Sequence, residues 1–150
     1  MLFIYKYVYT EDIKCNFEEV YKDSSIQKGF FLLKDEKLRY QYNDVKLYTL
    51  VYFNQKLYIA DNNNYKNVRN YESSKTIIPS LLKIYRDFPK IKNNYHLEDL
   101  QILIEKNSEN NFIKRLAIKS NRLNMSIYFL NCEFKPINDL FFKVDPIFQY

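Results

Sequence analysis

Residues 29–61 read GFFLLKDEKLRYQYNDVKLYTLVYFNQKLYIAD, and the rest of the chain is organised around them. It predicts four strands, at residues 30–34, 37–42, 46–53 and 56–60, because these segments are rich in Tyr, Phe, Leu and Val. The joints between them are Asp35-Glu36, Asn43-Asp44 and Asn54-Gln55, each short enough for an antiparallel hairpin. We therefore expect a meander of neighbouring antiparallel strands.

The third of these strands is apolar on both of its faces. In residues 48–53 the even positions carry Tyr, Leu and Tyr, and the odd positions carry Thr, Val and Phe. Because side chains alternate along a strand, both faces of the sheet are expected to be covered.

The rest of the chain predicts more strands and one helix. Further strands are expected at residues 16–19, 65–71, 97–106, 112–119 and 123–130. A helix is expected over residues 76–87, with Ser74 as a candidate cap and Pro79 in the first turn. Its apolar side chains recur at helical spacing and form one stripe, which comprises Ile77, Ile78, Leu81, Leu82 and Tyr85.

The N-terminal segment, residues 1–12, fits either an edge strand or the remnant of a helix. No linker or internal repeat divides the chain, and 150 residues favour a single domain, 1–150. Hydrophobic residues make up 47% of the chain, which is enough for a packed interior.

The net charge of +5 is spread along the chain rather than gathered in one basic run. This distribution argues against a nucleic-acid footprint and indicates a solvated basic surface. Cys15 and Cys132 lie far apart, so the sequence favours two buried free thiols over a disulfide, which would require them to meet in space.

The sequence contains no convincing catalytic or metal-binding set. His96 is the only histidine, and it stands without a supporting motif. The chain has one glycine, which excludes a glycine-rich phosphate loop, and no CxxC or Cys/His spacing occurs. Acidic pairs such as Glu18-Glu19 are interpreted as solvated strand faces or turns. We expect no enzymatic activity, no metal and no cofactor.

Several short motifs resemble one family in the same order along the chain. LRYQY at residues 38–42 resembles an L-R-W-x-Y strand, and NQKLYIAD at 54–61 resembles D-G-K-x-L-W-x-Y-D. Thr76, Pro79, Leu81 and Leu82 resemble a T-P-x-x-L-L helix. Residues 112–118, 127–131 and 136–146 resemble its later I-x-x-L-x-I, T-x-I-x-F-x-N and I-P-x-x-x-F-x-F-x-x-P motifs.

These motifs resemble the LolA-type outer-membrane lipoprotein carrier proteins of Gram-negative bacteria. The resemblance implies a mainly β fold with helices (α+β), in which an unclosed antiparallel β-barrel or half-barrel has a helical lid over an apolar cavity. It implies a non-enzymatic periplasmic carrier that shelters the acyl chains of lipoproteins on their way from the inner to the outer membrane. The partners implied are an inner-membrane lipoprotein-releasing transporter and an outer-membrane acceptor, with a monomeric carrier and no nucleic acid.

The resemblance also implies which residues form the site. The expected lipid-binding cavity draws on the matched strands and on the helical stripe, and comprises Tyr40, Tyr42, Leu50, Tyr52, Tyr58, Leu81, Leu82 and Tyr85. By position, Lys34 and Arg39 are candidates for latching the lid or contacting a partner.

Some features of the chain point elsewhere. Residues 1–15 lack a charged n-region, a sustained apolar segment and a small-residue cleavage site, whereas the family is exported. The simplest reconciliation is that this chain starts late, and the family's N-terminal helix is expected to be shortened. The alternatives are a family member that keeps only the fold, or an interaction module with a filled core that binds a protein or single-stranded nucleic acid.

Overall fold

The computed structural model describes residues 12–72, 78–107 and 112–144. The described part is mostly β: one sheet of ten antiparallel strands, with one short α-helix. The elements are β1 (Ile13–Tyr21), β2 (Ile26–Lys34), β3 (Lys37–Tyr42), β4 (Tyr48–Phe53), β5 (Lys56–Asp61), β6 (Asn64–Glu72), α1 (Ile78–Asp87), β7 (Asn94–Leu97), β8 (Leu100–Asn107), β9 (Phe112–Lys119), β10 (Asn124–Phe134) and a 3-10 helix (Asp139–Phe142).

The sheet is an open meander in the order β6-β5-β4-β3-β2-β1-β10-β9-β8-β7. Each strand pairs with its neighbour in the chain, except that β1 pairs with β10 and so joins the two halves. The edge strands β6 and β7 do not pair with each other, and α1 lies in the connection between them. The expected antiparallel, unclosed β architecture is therefore confirmed.

Two of the three predicted turns of the meander are confirmed, at Asp35-Glu36 and Asn54-Gln55. The third is longer than the expected Asn43-Asp44 joint, because β4 begins at Tyr48 and the turn spans residues 43–47. Asp35 and Asn54 both have a φ of 50°, and Gln55 has a φ of 61°. Asn and Asp tolerate the left-handed conformation better than most residues, so these joints reverse the chain without glycine.

The structure departs from the predicted strands mainly in the second half. Residues 97–106 were predicted as one strand, but a reversal at Glu98, with a φ of 53°, separates β7 from β8. The turn residues are Glu98 and Asp99, and Asp99 is a usual turn residue that was not weighed against the apolar run on either side of it. The first strand is longer than the predicted 16–19, and the last continues to Phe134. The predicted N-terminal segment, the helix start before Ile78 and the C-terminal end of the last motif lie outside the described residues.

Two apolar clusters cover the two faces of the sheet, as the pattern of β4 predicts. The larger cluster defines the inner face, where Tyr85 of α1 packs against Phe31, Phe112 and Phe129. The smaller cluster defines the outer face, where Phe30, Leu32 and Val51 meet Ile137 and Phe142. The outer cover is the C-terminal segment, residues 137–144, which contains the 3-10 helix.

Gly29 is the only glycine of the chain, and its role is to leave space. A Cβ atom added there would lie 2.0 Å from the carbonyl oxygen of Gln41 and 2.4 Å from Cζ of Phe17. Gly29 pairs with Phe17 on β1 and with Tyr42 on β3. The missing side chain therefore lets the Phe17 ring lie directly across β2.

Cys15 and Cys132 form a disulfide between β1 and β10, so the expectation of two free thiols is wrong. Their Cα atoms are 4.1 Å apart although the residues are 117 positions apart in the chain. The register of the β1–β10 pair shifts between Lys14 and Asn16, opposite Asn131, which has a φ of 52°. The sequence could not predict the pairing because it depends on which distant strands become neighbours.

Candidate functional site

The helix α1 lies on the inner face because its apolar residues recur on one side. Leu81, Leu82, Ile84 and Tyr85 are buried. The ring of Tyr85 reaches furthest into the cluster, with its centroid 5.2 Å from that of Phe31. The apolar stripe predicted from helical spacing is thus turned toward the sheet.

The structure brings seven of the eight expected cavity residues to the inner face. Six of them are buried in the larger cluster, and Leu50 is half-buried against it; the six are Tyr40, Tyr42, Tyr52, Leu81, Leu82 and Tyr85.

The placement of Tyr58 with this set is wrong. Its neighbours Leu57 and Ile59 pack on the inner face, so alternation turns Tyr58 outward. There its ring stacks on Phe53, with the ring centroids 4.9 Å apart.

Lys34 and Arg39 both hold the C-terminal segment rather than α1. The Arg39 guanidinium donates to the carbonyl oxygens of Phe141 and Lys143 at 3.1 and 2.9 Å, and also to the Gln41 side-chain oxygen. Lys34 Nζ donates to the carbonyl oxygen of Ile137 at 2.6 Å. Because Arg39 is fully buried, the expectation that it contacts a partner is corrected to a structural role on the outer face.

Sequence reasoning missed a buried carboxylate, that of Glu19. Only 2% of Glu19 is exposed, although its pair with Glu18 was interpreted as a solvated feature. Its side chain accepts hydrogen bonds from the hydroxyls of Tyr21 at 2.5 Å and Tyr40 at 2.6 Å, and the Tyr42 hydroxyl lies 2.8 and 3.0 Å from its two oxygens. The signal was its position two residues after Phe17 on β1, which places it on the inner face.

The phenols around Glu19 are held in their protonated form. Burial, followed by the charge of Glu19, raises the pKa of Tyr40 and of Tyr42 well above that of a free phenol. Burial and the hydrogen bond to Glu19 raise the pKa of Tyr21 in the same direction. The Glu19 cluster, formed by Glu19 with Tyr21, Tyr40 and Tyr42, is therefore one anion surrounded by three fixed donors.

Clefts open at the margins of the inner face, and three of those lined by the described residues bear on the site. An open cleft of about 590 Å³ lies at the end where Tyr21, Tyr42 and Tyr48 meet the β9–β10 turn. The other two flank α1. One of about 750 Å³ separates α1 from β7, and one of about 160 Å³ lies between Leu82 of α1 and Tyr52 of β4.

The described residues present no group of three His, Cys, Asp or Glu side chains that could hold a metal ion. His96 is exposed on β7. In residues 12–72, 78–107 and 112–144, no helix is long and apolar enough to cross a membrane.

Comparison with known proteins leaves the chain without an assigned family. No protein-family model matches it, and a search of curated proteins returns no match.

Proposed function

We propose that this chain is a non-enzymatic carrier of the LolA type, which holds the acyl chains of lipoproteins against the inner face of its sheet. In this proposal α1 is a movable lid over an apolar cavity that opens as the helix is displaced. The carrier works in the periplasm as a monomer, between an inner-membrane lipoprotein-releasing transporter and an outer-membrane acceptor. It needs no cofactor and makes no bond.

One observation carries this proposal: the helix that bridges the two unpaired edges of the sheet also covers its apolar inner face. The contacts of α1 in the inner cluster come from Leu81, Leu82, Ile84 and Tyr85. Acyl chains offer the same kind of surface, so they can replace the helix against the sheet. Each buried methylene contributes about 0.8 kcal/mol, which makes the exchange favourable for long chains.

The clefts on both sides of α1 support a helix that can move. The cleft of about 750 Å³ separates the helix from β7, and that of about 160 Å³ separates it from the β2–β3 turn and β4, so the helix has space on both sides. An exposed ion pair, Arg86 Nη1 to Glu36 Oε1 at 2.7 Å, ties its C-terminal end to the β2–β3 turn. Exposed pairs of this kind contribute about 1 kcal/mol or less, so the tie is easily released.

The disulfide supports a location outside the cytoplasm. Structural disulfides form and persist in oxidising compartments such as the bacterial periplasm. The Cys15–Cys132 bond joins the two halves of the sheet, and Cys15 is fully buried. A protein built on this bond fits the proposed compartment.

The test is uptake of a diacylated lipopeptide, followed by native mass spectrometry and by hydrogen exchange of α1. We expect one lipopeptide per chain and faster exchange across residues 78–87 once it is bound. Leu82→Glu places a charge in the apolar stripe and is expected to abolish uptake. The matched control is Leu140→Glu, because Leu140 is 48% exposed on the 3-10 helix.

Two outcomes would overturn the proposal that this chain is a carrier. They are an absence of uptake by the unmodified chain, or equal uptake by the two glutamate variants when both are folded by circular dichroism. Slower exchange of α1 after binding would contradict the role of α1 as a lid. The lipopeptide would then bind without displacing the helix from the sheet. The exchange measurement needs no variant and therefore stands if Leu82→Glu fails to fold.

A second candidate function is an interaction module with a filled core, and the edge strand β6 favours it. β6 is exposed along most of its length, with Val68 39% and Tyr71 45% exposed. An edge strand of this kind can pair with an extended peptide. Uptake of no lipopeptide, together with capture of a peptide at β6, would replace the carrier with this function.

A further inference from the structure

The cleft of about 750 Å³ beside α1 lies between two defined walls. One wall is a single helix face, because Lys83 and Ile84 lie three and four residues after Ser80, and Asp87 lies four and three residues after them. Ile84 belongs both to this wall and to the inner apolar cluster. The floor of the cleft is therefore continuous with the inner face under α1.

The opposite wall is fixed by hydrogen bonds to β7 and β8. The backbone N–H of Lys92 donates to the phenol oxygen of Tyr95 at 3.0 Å, and the N–H of Ile104 donates to the carbonyl of Asn93 at 2.8 Å. Lys106 Nζ donates to the carbonyl of Pro89 at 3.2 Å. These contacts hold residues 89–93 in place, so the lysines of this segment project from an ordered rim.

The rim of the cleft is strongly basic. Four lysines line it, at positions 83, 90, 92 and 106, against the single carboxylate of Asp87. Within the described ranges the ammonium groups of Lys83, Lys90 and Lys92 form no hydrogen bond or ion pair. Four like charges around one cleft repel each other, so an anion bound among them relieves that repulsion.

We infer that this lysine cleft binds the anionic phosphate head group of an amphiphile whose acyl chain lies under α1. The inference rests on one part of the proposed function, the binding of acyl chains under α1. It adds a phosphate-bearing amphiphile to the acylated ligands, because the diacylglyceryl-cysteine anchor of a lipoprotein carries no phosphate itself. The apolar floor at Ile84 and Leu97 accommodates the first methylenes, while the ammonium groups meet the phosphate as flexible point charges. A zwitterionic head group would gain less here, because its own cation would meet the same lysines.

The test compares fluorescent lysophosphatidylglycerol with lysophosphatidylcholine of the same chain length at low salt. The unmodified chain is expected to bind the anionic lipid about tenfold more tightly, a preference that falls with added salt. In the triple variant Lys83→Gln, Lys90→Gln, Lys92→Gln the two lipids are expected to bind within about twofold of each other. Glycerol 3-phosphate, the head group without a chain, is expected to compete only weakly.

The matched control changes three exposed lysines outside all three clefts: Lys46→Gln, Lys56→Gln and Lys66→Gln. It carries the same change in net charge and is expected to keep the preference for the anionic lipid.

Equal affinity of the unmodified chain for both lipids would overturn the inference that the lysine cleft binds the phosphate head group. It would not contradict the proposal that the chain is a carrier. Loss of the preference in the control as well would also overturn it, because net charge alone would then explain selectivity. Strong competition by glycerol 3-phosphate would assign the cleft to free phosphate compounds. Binding of neither lipid would overturn the inference, and the uptake of the diacylated lipopeptide would then decide the carrier proposal separately.

Discussion

The Glu19 carboxylate and the Tyr40 phenol are joined by a 2.6 Å hydrogen bond inside the sheet, across 21 positions of sequence. Tyr21 and Tyr42 are further donors, so the Glu19 carboxylate is stabilised by hydrogen bonds from three neutral phenols. A buried anion without its donors is costly, and so are buried donors without their acceptor. The Glu19 cluster therefore fixes how β1 and β3 lie on either side of β2.

Removing the acceptor is expected to destabilise the fold more than removing one donor. Glu19→Leu leaves three phenols without their partner and is expected to lower the free energy of unfolding by about 3–5 kcal/mol. Tyr40→Phe removes one bond to a charged group and is expected to lower it by about 1.5–3 kcal/mol. Urea unfolding measures both, and a Glu19→Leu variant as stable as the unmodified chain would contradict the role of the cluster.

Stability is expected to fall as the pH rises above about 10, the pKa of an unfolded tyrosine. Burial raises the pKa of Tyr85 above that of a free phenol, so between the two pKa values the unfolded chain loses this proton and the folded chain keeps it. The unfolded state then binds fewer protons, and the free energy of unfolding decreases by about 1.4 kcal/mol per pH unit for this group.

The matched variant is Tyr85→Phe, which keeps the ring and removes the titrating hydroxyl. Its urea unfolding, measured from pH 8 to 11, is expected to show a shallower alkaline slope by about 1.4 kcal/mol per pH unit. An unchanged slope would mean that Tyr85 ionises equally in both states.

Arg39→Ala is expected to release the C-terminal segment from the outer face. The substitution removes the donors to the carbonyls of Phe141 and Lys143 and uncovers Phe30, at an expected loss of about 3 kcal/mol. Limited proteolysis and hydrogen exchange at residues 137–144 measure the release. Lys37→Ala breaks only the exposed pair with Asp139 and is the control, with an expected loss below about 1 kcal/mol.

Gly29→Ala is expected to lower the free energy of unfolding by about 3 kcal/mol, an effect of overpacking. The added methyl would overlap the Gln41 carbonyl, which is backbone and cannot turn away, and the ring of Phe17. The double variant Gly29→Ala, Phe17→Leu relieves only the contact with the ring, so it is expected to remain less stable than Phe17→Leu alone. Thermal unfolding of the set tests this, and a neutral Gly29→Ala would refute the close approach.

Replacing both cysteines by alanine is expected to lower the free energy of unfolding by about 4–5 kcal/mol, because the bond closes a loop of 117 residues. The unmodified chain in reductant is expected to lose a similar amount. Equal stability of the oxidised and reduced chains would argue against the bond, and thiol titration of the unfolded chain would check it directly.

The first half of the fold is readable from sequence because its signals are local. Short Asp and Asn turns separate runs of Tyr, Leu and Val, so β3 and its turns follow from neighbouring residues alone. The hairpin at Glu98 was missed although Asp99 is a favoured turn residue, because a single such residue between Leu97 and Leu100 is a weaker signal than the Asn-rich turns of the first half. The disulfide depends on which distant strands become neighbours, and a single sequence does not carry that information locally. Glu19 and Tyr58 follow from strand alternation once Phe17 and Leu57 are known to face inward, but which face of a strand is the inner one depends on the packing of the whole sheet.

The pairing of β1 with β10 has a consequence for how the chain folds. Every other strand pair in the described sheet joins consecutive strands, so both halves can form from local hairpins. Only the β1–β10 junction must bring together segments from opposite ends of the chain, against the entropy of the long loop between them. Folding speed is therefore governed by one encounter at the centre of the sheet, while the edges assemble early from their own neighbours.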